Sequence, residues 1–545
     1  MSDMSYVRSE MLPERSPPAS SVGPVGWMRQ NLFNGVVNSI LTILSLIVIA
    51  MALMALLPWL FQPTWNATSQ NECHEIVGGG HGHGGACWGV IRDRWEQLLF
   101  GFYPNGSEGI IPDQRWRPIV AFALLFVAVT PVLFNMISRR MNWVLLFAVL
   151  GLTALYLGGG VGIVIGLALL GAAAFIGFKA LSTDKEARAA EIESGAKRLP
   201  NPLIFSAIFP FLAPWLLWGG SIWLPVAAAL GFVAIAYSVK RFSALGVGQL
   251  GIVLIAVAVA AFWFIDPLSI LLNIIDNVRG WFTGVVHFTD FTVNVGRRVS
   301  GTETGIRDLF PLINHVSSIG DSLLPIGLEP VASRDFGGFM LSITIGVVAI
   351  ACSLPIGIVL ALGRQSDLMI VKALCVGFIE FIRGVPLITL LFVASTLLNI
   401  FMPPGTSFDI ILRVLIMVTL FAAAYMAEVI RGGLAALPRG QYEAADALGL
   451  DYWKAQRLII MPQALKISIP GIVSTFIGVF KDTVLVSIIG LLDPLGLSNA
   501  IRADQAWNGL VWELYGFIGL LFFVFCYSMS RYSMYLERRL RTDHR

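Results

Sequence analysis

The side chains able to do chemistry in this chain lie in three places. The first is a polar stretch, residues 62–116, that holds Cys73 and Cys87 with Glu72, His74, His81 and His83. These are metal-ligand types, but the tract GGGHGHGGACW supplies no helical or turn register to gather them. A Cys73–Cys87 disulfide on an oxidising face and a plain loop with free thiols are the other readings, and no metal site is assigned. The second place is a set of polar groups within long apolar runs: Glu380, Arg383, Glu428, Arg431, Lys481, Asp482 and Thr483. An ionised group in a bilayer is costly and needs a partner or water. Glu380 with Arg383, and Glu428 with Arg431, are three apart and share a helix face. Lys481 and Asp482 are adjacent, so they point apart and need separate partners. By themselves these residues read as structural ion pairs and snorkelling ends. The third place is Arg431–Pro462, RGGLAALPRGQYEAADALGLDYWKAQRLIIMP, between two apolar runs.

That third stretch is long and patterned for a connection between membrane spans. Pro438 and Gly440 start a short helix, with Glu443 early in it, where a carboxylate suits the helix dipole. Ala444, Ala445 and Leu448 give that helix a small-residue face for close approach. Gly449 suits a turn, because glycine tolerates backbone angles closed to other residues. Asp451 caps a second helix, Tyr452–Ile460, expected to stop before Pro462. The element is helix, glycine turn, helix, lying on a membrane face. It either rests on lipid head groups or docks another protein.

Composition requires the membrane. Of 545 residues 56% are apolar and 13% charged, an excess of apolar surface without use in a soluble domain. Residues 1–30 are rich in Ser and Pro, read as disordered and not as a signal peptide, because the first apolar run starts near Leu32 and is too long. Runs follow at 32–61, 118–137, 142–158, 161–180, 202–219, 222–239, 247–265, 337–363, 371–402, 410–430, 468–492 and 511–530. The expected fold is all-α and polytopic, with about twelve transmembrane helices. Basic residues gather in cytoplasmic loops. With Arg29 inside, alternation puts Arg139-Arg140, 182–200, Lys240-Arg241, 364–370, 431–467 and the basic tail 536–545 inside, and 62–116 and 266–336 outside. Both termini are then cytoplasmic. Segments such as IRDLFPLINHVSSIGDSLL within 266–336 suggest amphipathic helices along the interface. Cys352, Cys375 and Cys526 lie in apolar runs and read as packing residues.

Glu443-Ala444-Ala445, Gly449 and the downstream Ile459 and Pro462 resemble the EAA loop of ATP-binding-cassette (ABC) importer permeases. AAYMAEVIRGGLAALPRGQYEAADALGL, FIRGVPLITLLF and FKDTVLVSIIG are similar to the polar amino-acid uptake permeases. RGVPLIT and the loop 85–120 are similar to the general L-amino-acid permease branch within them. The resemblance lies mainly in 337–535, as a five-helix type I importer permease core. It leaves 31–265 as an extension of about seven spans. Those between 142 and 265 exceed what the resemblance leads one to expect and read as a lineage-specific insertion. Val484 stands where the family pattern has Ser or Thr, and Leu390 where it has Gln, so individual substrate contacts do not carry over.

The resemblance implies a bacterial inner-membrane permease importing polar or general L-amino acids. Its partners would be ABC ATPase subunits, a second permease subunit and a periplasmic amino-acid-binding protein, in contact with membrane lipid. No nucleic acid and no cofactor are expected. In the family the loop docks in the ATPase, and the resemblance implies scaffold or gate positions near the translocation path for Glu380, Arg383, Glu428, Lys481, Asp482 and Thr483. The chain has no G-x-x-x-x-G-K-[ST] phosphate loop, no G-x-S-x-G and no H-E-x-x-H, so it is expected not to be an enzyme, with ATP hydrolysis in a partner. The rival is a secondary transporter driven by an ion gradient, with Glu380, Arg383 or Asp482 in the coupling site. A non-transporting membrane scaffold is a third reading.

Overall fold

The structure is a computed structural model. It describes residues 23–61, 63–76, 85–106, 113–133, 139–157, 159–181, 202–245, 249–260, 263, 319–397 and 409–540. The charged loop 182–200, His81, His83 and most of 266–336 lie outside these residues.

In chain order the helices are α1 (Gly23–Asn31), α2 (Val36–Phe61), α3 (Gln70–Ile76), α4 (Gly89–Phe100), α5 (Trp116–Leu133), α6 (Arg139–Leu157), α7 (Gly159–Leu181) and α8 (Leu203–Trp218). After β1 (Gly220–Ser221) come α9 (Trp223–Ala244), α10 (Gln249–Ala260) and β2 (Gly327–Leu328), which pairs antiparallel with β1. The remaining helices are α11 (Gly338–Arg364), α12 (Met369–Gly384), α13 (Leu387–Phe392), α14 (Ile410–Ala435), α15 (Gly440–Ala447), α16 (Tyr452–Ala455), α17 (Met461–Asp482), α18 (Pro494–Ala503) and α19 (Trp512–Leu540). Among the described residues every apolar run of the sequence falls on helix. Among the described residues six helices are long and apolar enough to cross a membrane: α2, α9, α11, α14, the continuous Tyr452–Ile489 and α19. The run 371–402, expected to be one span, is broken. Met369–Gly384 and Leu387–Thr396 meet at 102°. Pro386 is the cause: it forces Val385 out of the helical region, to φ −107° and ψ 130°, and cannot continue the hydrogen-bond ladder.

The chain divides into two compact units, 1–95 with 501–517 and 96–500 with 518–545. In the first, α2 is apolar all round and unburied along its length, as a span surrounded by lipid would be. Cys73 and Cys87 are joined by a disulfide, Cα–Cα 6.1 Å, and both are buried. The Cys87 end of this bridge and the start of α4 are fastened to residues 504–513, which lead into α19. Trp507 Nε1 donates to Asp93 Oδ2 at 2.8 Å, Arg94 pairs with Asp504 at 2.7 Å, and the Cys87 amide donates to Glu513 Oε1 at 3.0 Å. Two hydrogen bonds from Thr68 hold the Glu72 carboxyl below its ordinary pKa.

In the second unit α14 is central. It packs against α11, α12 and α17, and 56% of its apolar stretch is buried, against 33% for α11. One core joins the extension to the permease region: Leu124, Val127, Leu146, Phe209 and Leu216 cluster with Met340, Ile345, Ile411, Val418 and Val479. Polar contacts reinforce it. Tyr103 donates to the Leu217 carbonyl at 2.7 Å, and the fully buried Arg117 to the Glu329 carbonyl at 2.6 Å. Where α4 ends and α11 begins the backbones touch. Gly101 and Gly338 have φ of +69° and +61°, and a Cβ on Gly101 would lie 2.4 Å from the Gly337 Cα.

Asp493 caps α18 from a buried position, its Oδ1 accepting from the Gly496 amide at 2.9 Å. Burial, only partly offset by the amides of Gly496 and Leu495, pushes its pKa up to about 6. The folded protein therefore holds this proton more tightly than the unfolded chain. The stability it contributes is full below the ordinary 3.8 and is lost as pH rises through about 6, up to about 3 kcal/mol. Asp493→Asn keeps a capping oxygen and never ionises. The melting temperature of the variant relative to wild type should rise between pH 4 and pH 7; a difference constant over that range would contradict the assignment.

Candidate coupling site

α14 descends to Ala435, and the chain then builds the patterned stretch between α14 and α17. Leu437 is buried with Ile430, Leu434, Ile460 and Ala464, so the stretch is anchored to both helices rather than free in solvent. α15 starts after Pro438, with Glu443 exposed in its first turn. It ends in a paired motif: the Gly449 amide donates to the Asp446 carbonyl at 2.9 Å and the Leu450 amide to the Ala445 carbonyl at 3.2 Å. This closure needs a left-handed residue just past the helix, and Gly449 has φ +67°. Asp451 then caps α16, its Oδ1 accepting from the Lys454 amide at 2.7 Å. Gln463 Nε2 donates to Gln441 Oε1 at 3.0 Å, fastening α15 to the start of α17.

Two expectations are corrected. The second helix does not stop before Pro462. A π turn, Gln456–Ile460, joins α16 to α17 in one rod, with the Met461 amide donating to the Gln456 carbonyl. The wider turn accommodates a proline that lacks its own N–H. The small-residue face is also divided. Ala444 is exposed, but Ala445 is buried within the chain, so its size serves internal packing. The exposed surface is instead Glu443, Ala444, Leu448 and Gly449 on one side of the turn with Tyr452 and Trp453 on the other. Leu448 is 73% exposed and Trp453 57%. The two aromatics, adjacent edge to face at 5.3 Å, were missed as part of this surface. A pair of aromatic residues directly after a capping Asp is the sequence signal that could have found them.

The membrane charges fall into two groups. Glu380, Arg383, Glu428 and Arg431 are gathered at the end of α14 nearest the loop, where Arg364, the last residue of α11, joins them. Arg364 was read only as part of an inside loop. Lys481, Asp482 and Thr483 are not among them. Among the described residues Lys481 and Asp482 form no ion pair with each other, and Thr483 is buried with its hydroxyl donating to the Phe480 carbonyl at 2.8 Å. Lys481 instead lines a cavity of about 350 Å³ with Val484, Gly519, Phe522, Phe523 and Cys526. Arg413, also missed, is buried on α14 and donates to the Ser395 carbonyl at 2.8 Å, tying α14 to the short arm of the broken span. Cys352 is exposed on the face of α11. Among the described residues no group of three metal-ligating side chains occurs.

A family model described as the binding-protein-dependent transport system inner membrane component matches residues 353–542. Across all of both chains this protein is 47% identical to the glutamate/glutamine/aspartate/asparagine transport system permease protein BztC of Rhodobacter capsulatus. It is 32% identical to the inner membrane amino-acid ABC transporter permease protein YhdY of Escherichia coli K12, over 97% of this chain and 96% of that one. The chain belongs to the amino-acid ABC transporter permeases. It is thus a permease subunit and a multi-pass inner-membrane protein. A crystal structure of an amino acid ABC transporter with histidines is 29% identical over 37% of this chain and 91% of that chain, with a TM-score of 0.33. Both alignments also take in residues 142–265 of this chain.

Proposed function

We propose that this permease imports polar L-amino acids, and that residues 437–462 transmit the work of a separate ATPase to its spans. The observation that carries the proposal is the built loop. An exposed helix, a left-handed glycine and a capped second helix stand on the buried ends of α14 and α17. A loop merely resting on lipid has no need of that rigidity. The relatives' names, which include acidic amino acids and their amides, support this substrate class. The partners are two ABC ATPase subunits, a second permease subunit and an amino-acid-binding protein on the outer face. Residues 337–535 form the type I permease domain, and 31–265 an N-terminal extension. Glu443, Ala444, Gly449 and Pro462 belong to the coupling site, with Ala445 holding it from within.

The test is purification of the complete complex and measurement of labelled amino-acid uptake in proteoliposomes. Uptake requiring internal ATP and external binding protein supports the proposal. Uptake driven by a proton or sodium gradient without ATP would establish the ion-coupled alternative.

Orientation follows from the same reading: both termini and 431–467 face the cytoplasm, and 62–116 and 266–336 face outward. A cysteine placed at Arg439 is expected to resist an impermeant thiol reagent in intact cells and to react after permeabilisation. Labelling in intact cells would invert the topology.

A further inference from the structure

Three helices contribute to one knot of charge. Arg364 Nη1 donates to Glu380 Oε1 at 2.9 Å and lies 3.2 Å from Glu428 Oε2. Arg383 Nη1 is 3.8 Å from the same oxygen, with its guanidinium 5.6 Å from the centre of the Tyr425 ring. Arg431 Nε donates to Glu428 Oε1 at 2.7 Å. Glu428 therefore faces three guanidiniums, and the knot holds three cations against two carboxylates. Its side chain is 23% exposed, so the pairing is shielded from water more than a surface bridge is.

The three helices need these charges to different degrees. α11 and α14 are already close-packed: a Cβ on Gly357 would lie 2.8 Å from the Met426 side chain, and Ala361 shares a core with Met426 and Ile430. α12 is held by less. It buries Ile379 and Ile382, while Leu374 and Phe381 are more than 60% exposed. It also ends at the 102° break, so no straight continuation of the span steadies it. Its polar ties to the other two helices are Glu380 with Arg364 and Arg383 with Glu428.

We propose that Glu428, with Arg364 as its bridge, is the positioning residue that holds α12 to α14. Motion delivered to the coupling loop at the foot of α14 then carries the broken span with it. The inference rests on the coupling reading of residues 437–462. It makes the knot a strut that transmits movement, and not a site that binds substrate.

Neutralising Glu428 leaves three guanidiniums facing Glu380 alone. Removing a carboxylate from a paired cluster costs more than the pair contributed, because its partners are left uncompensated. Glu428→Gln is expected to lower uptake by the complete complex about tenfold while ATPase subunits stay bound and hydrolyse ATP, so that more ATP is spent per amino acid carried. Glu428→Gln with Arg364→Gln returns the knot to its wild-type surplus of one positive charge but removes both ties of α12, so uptake and the ATP-to-substrate ratio should not recover. A purely structural role would lower folded yield and uptake together, with that ratio unmoved. Wild-type uptake and ratio in Glu428→Gln would overturn the proposal, as would recovery in the double substitution, which would make the net charge of the knot and not its ties the cause. If the wild-type complex itself shows no ATP-dependent uptake, the coupling reading fails and takes this inference with it. If wild type couples and the variant behaves like it, only this inference fails.

Discussion

A complex carrying Gly449→Val is expected to show no amino-acid uptake above background, although the permease inserts and folds. The reasoning starts from the backbone. Gly449 holds φ +67°, a region that costs an ordinary L-residue about 1–2 kcal/mol and a β-branched one more. Among the described residues nothing lies within 4 Å of the position a Cβ would take, so no packing among them breaks. The change is confined to the turn that sets Glu443 to Leu448 against Tyr452 and Trp453. Folded yield and melting temperature should stay close to wild type, while ATPase stimulation by loaded binding protein disappears. Gly449→Asn separates two causes. Asparagine tolerates the left-handed region, so it should retain uptake if only the turn matters, and lose it if the partner's backbone closes on Cα. Normal uptake and normal ATPase retention in Gly449→Val would remove the coupling assignment.

Gly338→Val should have the largest effect on stability. Gly338 has φ +61°, and a Cβ there would lie 2.5 Å from the Leu98 carbonyl oxygen and 2.8 Å from the Leu99 carbonyl carbon. Both obstacles are backbone and cannot rotate away. The strain of the left-handed region adds to an overlap relieved only by separating the end of α4 from the start of α11. A loss of about 3 kcal/mol or more is expected, of the order found when cores are overpacked, seen as a collapse of folded protein in detergent. Gly377→Val is the control, since among the described residues its Cβ would meet nothing within 4 Å. Equal folded yields for the two variants would mean that the extension does not depend on this contact.

What the sequence revealed follows the range of the interactions involved. Gly449 and Asp451 were legible because a left-handed turn and a helix cap are made by neighbours. The apolar runs were legible because a span is a property of consecutive residues. Pro462 misled because a proline rule assumes the ordinary helical ladder, and the π turn before it alters that ladder. Pro386 broke a run that composition alone joined. Ala445 was assigned to the outer face because helical spacing gives a residue's direction relative to its neighbours, not which side α14 and α17 will cover. The spacing of Glu380 with Arg383 was read correctly as one face, but their partners stand on other helices, and Arg364 entered only when three helix ends met. The contact of Gly101 with Gly337 joins residues far apart in sequence, and no local pattern announces it.

The central claim, that residues 437–462 dock an ATPase, is tested most directly by a photo-crosslinking side chain placed at Leu448. This residue is 73% exposed beside Gly449 and can be replaced without disturbing a buried contact. Irradiation of the complete complex in native membranes, followed by denaturing gel analysis and mass spectrometry, is expected to yield a covalent adduct between this permease and its ATPase subunit. The same probe at Ile163, an exposed residue of α7, should give none. Adducts at Leu448 with lipid alone, in a complex shown to contain the ATPase, would contradict the account.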